Sequence, residues 1–144
     1  MKRFFLVMIG CMMTLSCAGS RPDNLGIADG RLAKCPDSPN CVNSQAADEK
    51  HSVAPFTYDG SREEAFDRLK QAVSDLKRTQ IVEERADYLR IECTSALFRF
   101  VDDVEFYFPE ENVIHVRSAS RLGYSDLGVN RKRVEKIRQL FNRQ

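Results

Sequence analysis

The chain has 144 residues, of which 42% are hydrophobic, and its 22 Lys and Arg residues nearly balance its 21 Asp and Glu residues. This length is typical of one domain and is enough to bury a core. Because the net charge is only +1 and both signs are interspersed, no basic field is available to hold nucleic acid. We therefore expect no nucleic-acid partner.

The N-terminus has the pattern of a bacterial export signal. Lys2 and Arg3 precede an apolar run over residues 4–15, which is about a dozen residues long and too short to cross a bilayer. A polar segment follows at once, so the pattern predicts a signal peptide over residues 1–16. Its removal takes two of the 22 basic residues and leaves 20 against 21 acidic ones, a net charge near −1.

Cys17 is the predicted site of lipid attachment. The segment Thr14-Leu15-Ser16-Cys17 resembles the lipobox of bacterial lipoproteins, although Thr14 stands where that motif usually has Leu. An acylated N-terminal Cys carries more than one chain, palmitate among them, which is sufficient for stable anchoring. Because Ala18 rather than Asp follows, we expect a lipid-anchored envelope protein that faces the periplasm, on the outer membrane. The alternative is ordinary cleavage near residues 16–19, which would release a soluble periplasmic protein.

The mature chain divides into a tether and one globular domain. Residues 17–33 are polar with few apolar anchors, and they are predicted to form a flexible lipidated tether. Residues 34–144 are predicted to form the domain.

Three cysteines lie beyond Cys17. In an oxidising compartment a disulfide is expected, and Cys35–Cys41 would close a small ring that two prolines stiffen. The alternative joins Cys35 or Cys41 to Cys93. The spacing suits neither a Cys-x-x-Cys redox pair nor, with two histidines in the chain, a zinc site, so we predict no metal and no cofactor.

The elements that follow predict an α+β domain. A short strand over 52–58 leads into a helix over 61–78, which Ser61 and Glu64 begin as a capping box. Alternating apolar residues predict strands over 81–84, 88–93, 98–108 and 113–117, and a basic amphipathic helix ends the chain.

The order β-α-β-β-β-β-α predicts a two-layer sandwich. Short connections make the four consecutive strands an antiparallel meander, and both helices would pack on one of its faces. If the sheet curled around the C-terminal helix, a helix-grip-like pocket could open between them.

Asp102 and Asp103 are the candidate acid/base pair of an enzyme. They interrupt the predicted strand over 98–108, and adjacent strand residues point to opposite faces unless a bulge intervenes. A bulge is the simpler interpretation of this pair. Motifs for a serine hydrolase, a zinc peptidase, a phosphate loop or a dinucleotide fold do not occur in the sequence. A non-enzymatic role is therefore favoured.

The passage from the last strand to the last helix is the candidate binding site. Ser125 or Asp126 would cap the helix, and its N-terminus with Arg117 and Arg121 would suit a carboxylate or phosphate. The competing interpretation is structural: a capped helix whose arginines contact Asp102 or Asp103. The candidate binding residues are Asp102, Asp103, Arg117, Ser118, Ser120, Arg121, Ser125, Asp126, Asn130 and Arg131.

Three segments together resemble the domain-of-unknown-function family 1499. They are Cys35-Pro36-x-Ser38-Pro39-Asn40-Cys41-Val42-x-Ser44, Arg99-Phe100-Val101-Asp102-Asp103-Val104-Glu105-Phe106, and Arg117-Ser118-x-Ser120-Arg121-x-Gly123-x-Ser125-Asp126-x-Gly128-Val129-Asn130-Arg131-x-Arg133. They cover most of residues 32–143 in the family's order. The family includes many bacterial lipoproteins and exported proteins and has no established activity, so the resemblance implies a class and no reaction.

These observations predict an envelope lipoprotein that is a non-enzymatic binding module. Its partner would be a small anionic or lipidic ligand or an envelope protein. A hydrolase that uses Asp102 or Asp103 and a purely structural envelope component are the alternatives.

Overall fold

The computed structural model describes residues 19–110 and 112–143, and the predicted signal peptide and Cys17 lie outside that range. Within it the elements are β1 (Ile27–Ala28), β2 (Arg31–Leu32), β3 (Cys41–Asn43), β4 (Phe56–Thr57), α1 (Arg62–Ser74), β5 (Thr79–Arg85), β6 (Tyr88–Thr94), β7 (Val101–Tyr107), β8 (Val113–Ser120) and α2 (Val129–Phe141).

The main sheet is antiparallel and has the strand order β3-β8-β7-β6-β5, with β4 also paired to β8. Strands β5 to β8 form the predicted meander, and the α+β architecture is confirmed. The sheet does not close on itself. The short strands β1 to β3 were not predicted from the sequence, and the strand predicted over 52–58 is reduced to Phe56–Thr57.

Helix α1 begins as its sequence predicts. Ser61 Oγ accepts a hydrogen bond from the Glu64 backbone N–H, and the Glu64 carboxylate accepts one from the Ser61 N–H at 3.0 Å. The helix ends at Ser74, four residues before the predicted end, because the chain turns through a left-handed residue, Arg78 (φ 57°), to enter β5.

The core lies between the two helices and one face of the sheet. Phe56 stands at its centre, with ring centroids 6.0 Å from Phe106 and 5.7 Å from Phe141. Leu69 of α1 and Ile137 of α2 are fully buried against this cluster. Burial of each such side chain contributes roughly 1.5–3 kcal/mol, and it fixes both helices on the same side of the sheet.

Strand β7 is continuous where the sequence analysis predicted a break or a bulge. Asp102 pairs with Cys93 and Ser120, and Asp103 pairs with Glu92 and Ala119, without a shift of register. The register shift of this sheet lies instead in β5, between Ile81 and Glu83. The prediction failed because a buried carboxylate with an arginine partner is compatible with a regular strand.

The N-terminal segment lies across the sheet face that is opposite the helices. Strands β1 and β2 form a hairpin there, and the Gly26 backbone N–H donates to Glu105 Oε1 at 2.7 Å. A Cβ on Gly30 would come within 3.9 Å of the Tyr107 hydroxyl, and Leu32 is buried. These contacts involve residues 26–32, which belong to the segment 17–33 that was predicted to be a tether. The boundary between tether and domain at residue 33 stays a prediction.

Candidate functional site

The predicted site residues of β7 and β8 fall on two opposite faces of the sheet. Successive side chains of a strand alternate between faces. Asp102, Ser118 and Ser120 therefore face the helices, whereas Asp103 and Arg117 face the covering N-terminal segment. Two separate polar clusters result, one on each face.

The outer face carries an ionic layer that the N-terminal segment covers. Its members are three arginines and three carboxylates: Arg90, Glu92, Asp103, Glu105, Arg117 and Arg121. At its edge Glu83 also approaches Arg90, at 3.5 Å.

Asp103 is the centre of one half of this layer. Arg121 donates to both of its oxygens at 2.7 and 2.9 Å, and Arg90 donates to Oδ1 at 2.9 Å. The hydrogen bonds from Arg121 to Asp103, and secondarily to Glu92, raise the pKa of the Arg121 guanidinium. Burial alone would lower the pKa of Arg90, but its hydrogen bonds to Glu92 and Asp103 outweigh that effect and raise it. Both arginines therefore stay charged and paired.

Glu105 is the centre of the other half and is fully buried. Its Oε2 accepts from Arg117 at 3.0 Å, and its Oε1 accepts from the Tyr88 hydroxyl at 2.8 Å and from the Gly26 N–H. Burial and the negative charge of Glu105 raise the pKa of Tyr88 well above its usual range. The phenol is thus held protonated as a hydrogen-bond donor.

The second cluster lies under the start of α2 and is centred on Asn130, whose side chain is completely buried. The Ser118 hydroxyl donates to Asn130 Oδ1 at 2.5 Å, and Asn130 Nδ2 donates to Ser120 Oγ at 2.9 Å. The same nitrogen lies 2.8 Å from Asp126 and 3.1 Å from the Asn40 carbonyl oxygen. This asparagine therefore joins α2, β8, the loop before α2 and the disulfide loop.

Arg133 connects this cluster to Asp102. Its guanidinium donates to Asn130 Oδ1 at 2.7 Å and to Asp102 Oδ2 at 2.6 Å. Arg131, one of the predicted binding residues, instead donates to the backbone carbonyls of Lys50 and Ser52. It thereby ties α2 to the segment that precedes β4.

The capping of α2 differs from the prediction. The N-cap residue is Gly128, in the left-handed conformation, rather than Ser125 or Asp126. Asp126 nevertheless accepts the N–H groups of Gly128 at 2.9 Å and of Asn130 at 2.7 Å, and Ser125 Oγ accepts the Leu127 N–H at 3.3 Å. The carboxylate of Asp126 therefore occupies the position at the helix start where an external anion would bind.

The candidate anion-binding groups all have internal partners. Arg117 pairs with Glu105 and Arg121 with Asp103, and the two arginine side chains are only 5% and 7% exposed. An external anion would have to displace these carboxylates. Asp102 and Asp103, the candidate acid/base pair, lie on opposite faces and do not converge.

The structure joins Cys35 to Cys41 in a disulfide and leaves Cys93 buried on the core face. Burial raises the pKa of the Cys93 thiol. His51 contacts Asp48 and the Ser38 carbonyl oxygen. Among residues 19–110 and 112–143, His, Cys, Asp and Glu side chains form no group of three or more that could hold a metal ion. The described helices are also too short or too polar to cross a membrane.

Five residues that complete these clusters were not among the predicted site residues, although Asn40, Glu105 and Arg133 stand in the segments that resemble the family. The five are Asn40, Tyr88, Arg90, Glu105 and Arg133. For Tyr88, Arg90 and Glu105 the available signal was the period-two alternation of polar residues in β6 and β7, which is normally assigned to a solvated face. Here that face is buried, and the covering segment comes from a distant part of the chain.

The comparisons with known proteins place this fold in a family without assigning it an activity. A search of the curated proteins found no match to the chain. The family model described as "Protein of unknown function (DUF1499)" matches residues 31–141, which include both polar clusters and the disulfide loop. The chain therefore belongs to the family DUF1499.

Proposed function

We propose that this protein is a lipid-anchored lipoprotein of the bacterial cell envelope, and that its domain is a non-enzymatic binding module. The non-enzymatic role is supported by one observation: the charged side chains of the candidate site are paired with one another. Asp103 and Glu105 are each neutralised by a buried arginine, and Asp102 is neutralised by Arg133. Such groups stiffen a scaffold, whereas a general acid or base must be available to a substrate.

The partner that fits best is an envelope protein. Two grooves of about 680 and 610 Å³ are open to solvent: one lies between α1 and the β5–β6 hairpin, the other beside the disulfide loop. Their linings are mixed, with Arg62, Phe66 and Glu84 in the first and Lys34, Asn43 and Asp48 in the second. Enclosed, mainly apolar pockets are typical of small-ligand sites. Open, mixed surfaces are more typical of contacts with proteins.

The hydrolase alternative rests on Asp102 and Asp103, and their geometry argues against it. Two carboxylates that act as acid and base in one reaction must both lie within hydrogen-bond reach of the reacting group of the substrate. These two side chains leave the strand in opposite directions, one toward α2 and one toward the N-terminal segment.

Intact-mass measurement of the protein purified from its own membranes tests the anchor. We expect the mass of residues 17–144 with acyl groups added and with two hydrogens lost to the Cys35–Cys41 disulfide. An unmodified N-terminus at residue 17, 18 or 19 would refute lipid anchoring and would favour secretion.

The destination of the anchor is tested by Ala18→Asp, with Ala18→Ser as the matched control. We expect the Asp variant to remain in the inner membrane fraction and the Ser variant to stay with the outer membrane. Equal distributions of the two variants would contradict an outer-membrane location.

The binding role is tested by photo-crosslinking in intact cells. A photoreactive residue at Glu63, in the first groove, should capture a discrete envelope protein, and one at the exposed Lys136 of α2 serves as the control. Capture of the same species at both positions, or at neither, would argue against the groove as a partner site.

A further inference from the structure

One end of the domain carries a group of large apolar side chains that are exposed to solvent. They come from the β6–β7 loop and from the loop between β8 and α2, and we call them the apolar rim. Their exposed fractions range from 41% to 86%. The rim consists of Leu97, Phe98, Phe100, Leu122, Tyr124 and Leu127.

The two loops of the rim are neighbours in space. Asp102 pairs with Ser120 at the ends of β7 and β8, and the Arg121 N–H extends this pairing to the Val101 carbonyl at 3.1 Å. The register therefore brings Phe100 and Leu122 to adjacent positions beyond the strand ends. Within the first loop the rings of Phe98 and Phe100 stack at 5.6 Å between centroids. Phe98, Phe100 and Leu122 thus lie together where the two loops meet, and the other members of the rim belong to the same two loops.

The loop before α2 holds one member of the rim, Leu127, outward in solvent. Leu127 is 86% exposed and has a left-handed backbone (φ 55°), which is unfavourable for a leucine. This conformation is maintained by Ser125, which accepts the Leu127 N–H, and by Asp126, which accepts the Gly128 N–H. The loop is further fixed through Asn130 to the buried cluster. The predicted site residues therefore position an apolar side chain in solvent.

The N-terminal segment reaches the same end of the domain. A Cβ on Gly19, the first described residue, would lie 3.0 Å from Leu122 Cγ and 3.1 Å from Arg121 Cβ. Cys17 is two residues earlier, and two residues of extended chain span at most about 7 Å. A lipid on Cys17 would therefore leave the domain beside the rim.

Basic side chains flank the rim on the side of β5. Lys77, Arg78 and Arg99 are exposed, and Arg78 Nε donates to the Thr94 carbonyl at the end of β6. Apolar side chains framed by Lys and Arg are typical of segments that enter the interface of a bilayer with anionic headgroups. Tyrosine is also favoured at that depth.

We propose that the apolar rim inserts into the leaflet that holds the Cys17 lipid, so that the domain stands end-on to the membrane. This inference rests on the proposed lipid anchoring. The lipid anchor and the rim together give the domain two membrane contacts at the same end. These contacts fix the orientation of both grooves relative to the bilayer, and the β7–β8 turn then points away from it. A lipid surface suits the rim better than a protein does, because the lipid attachment point lies next to it.

The chain contains no tryptophan, so a single introduced tryptophan reports depth without background. Tyr124→Trp and, independently, Phe98→Trp place the probe in the rim. Asn112→Trp, at the exposed β7–β8 turn of the opposite end, is the matched control. Each full-length variant is purified from membranes, its lipid is verified by intact mass and its fold by circular dichroism. It is then reconstituted into vesicles of phosphatidylethanolamine and phosphatidylglycerol with and without brominated acyl chains.

We expect brominated lipid to reduce the emission of both rim variants about twofold or more, with a blue shift, because an interfacial segment is buried roughly 5–10 Å into the boundary between headgroups and acyl chains. The Asn112→Trp variant should keep its emission. If lipid is present on Cys17 and the rim probes are quenched no more than the control, the insertion is refuted while the anchor stands. If the mass shows no lipid, the proposed anchoring fails and the end-on insertion fails with it.

Discussion

The buried ionic layer makes Glu105→Gln the most informative single substitution. Glu105 accepts three hydrogen bonds, from Arg117, Tyr88 and the Gly26 N–H, and it has no exposed surface. Gln keeps the size of the side chain but removes the charge. Whichever way the amide is turned, its NH₂ group faces a donor.

The expected destabilisation follows from these contacts. Hydrogen bonds to a charged group are worth roughly 1.5–3 kcal/mol each, and removing one partner of a buried ion pair typically costs about 3–5 kcal/mol. We expect Glu105→Gln to lower the free energy of unfolding by about 3–5 kcal/mol. The measurement is urea denaturation followed by far-UV circular dichroism, on the chain without its first 17 residues. The midpoint should fall without a change in slope.

Two further variants make this test specific. Glu135→Gln breaks an exposed ion pair with Arg138 and should cost at most about 1 kcal/mol. The double variant Glu105→Leu with Arg117→Met replaces the pair by apolar groups, and it should be more stable than the sum of its single variants predicts. A loss under about 1 kcal/mol for Glu105→Gln, or strict additivity in the double variant, would refute the account of a buried, mutually dependent layer.

Three other outcomes follow from the structure. Asp126→Ala removes the acceptor for the first turn of α2 and should cost about 1–2 kcal/mol in the same denaturation experiment, whereas an unchanged midpoint would show that the capping is unimportant. Replacing both Cys35 and Cys41 by Ser opens the ring and should cost about 2 kcal/mol from loop closure; a chain that cannot fold at all would contradict that modest size. Because burial raises the pKa of Cys93, the folded state keeps its proton after the unfolded thiol has lost it at pH about 8.5. The stability that this group contributes is therefore complete below that pH and declines as the pH rises above it. From pH 7 to pH 10 the free energy of unfolding of the native protein should fall more than that of its Cys93→Ser variant. An equal fall in both proteins would refute this reasoning.

Local chemistry explains which elements could be predicted. Ser61 and Glu64 satisfy each other's backbone within one turn, and so α1 is recognisable without its surroundings. Alternation likewise reveals β6 and β8, because Leu89 and Ile91 or Ile114 and Val116 return to the same face.

The ionic layer could not be predicted, because its burial is not a local property. Arg90 and Glu105 alternate with core residues as a solvated face would, yet both are buried, and the Gly26 N–H that contacts Glu105 comes from a segment 79 residues away. The same limitation produced the predicted bulge at Asp102 and Asp103. The structural interpretation of the passage before α2 did predict arginine contacts to Asp102 or Asp103. Which arginine meets which carboxylate could not be predicted, because Arg133 and Arg121 are 31 and 18 residues from their partners and no periodicity links such pairs.

The order in which the chain is synthesised runs against the order in which its sheet can assemble. Strands β5 to β8 pair with their neighbours through hairpins and need only short loop closures. Strand β3, in contrast, pairs with β8, where Cys41 faces Ala119, so its partner does not yet exist when it is made. The ring between Cys35 and Cys41 closes over a separation of only six residues, which is a short loop closure. After export its thiols can therefore be oxidised before β3 pairs with β8, so that the N-terminal segment can be cross-linked before it joins the sheet.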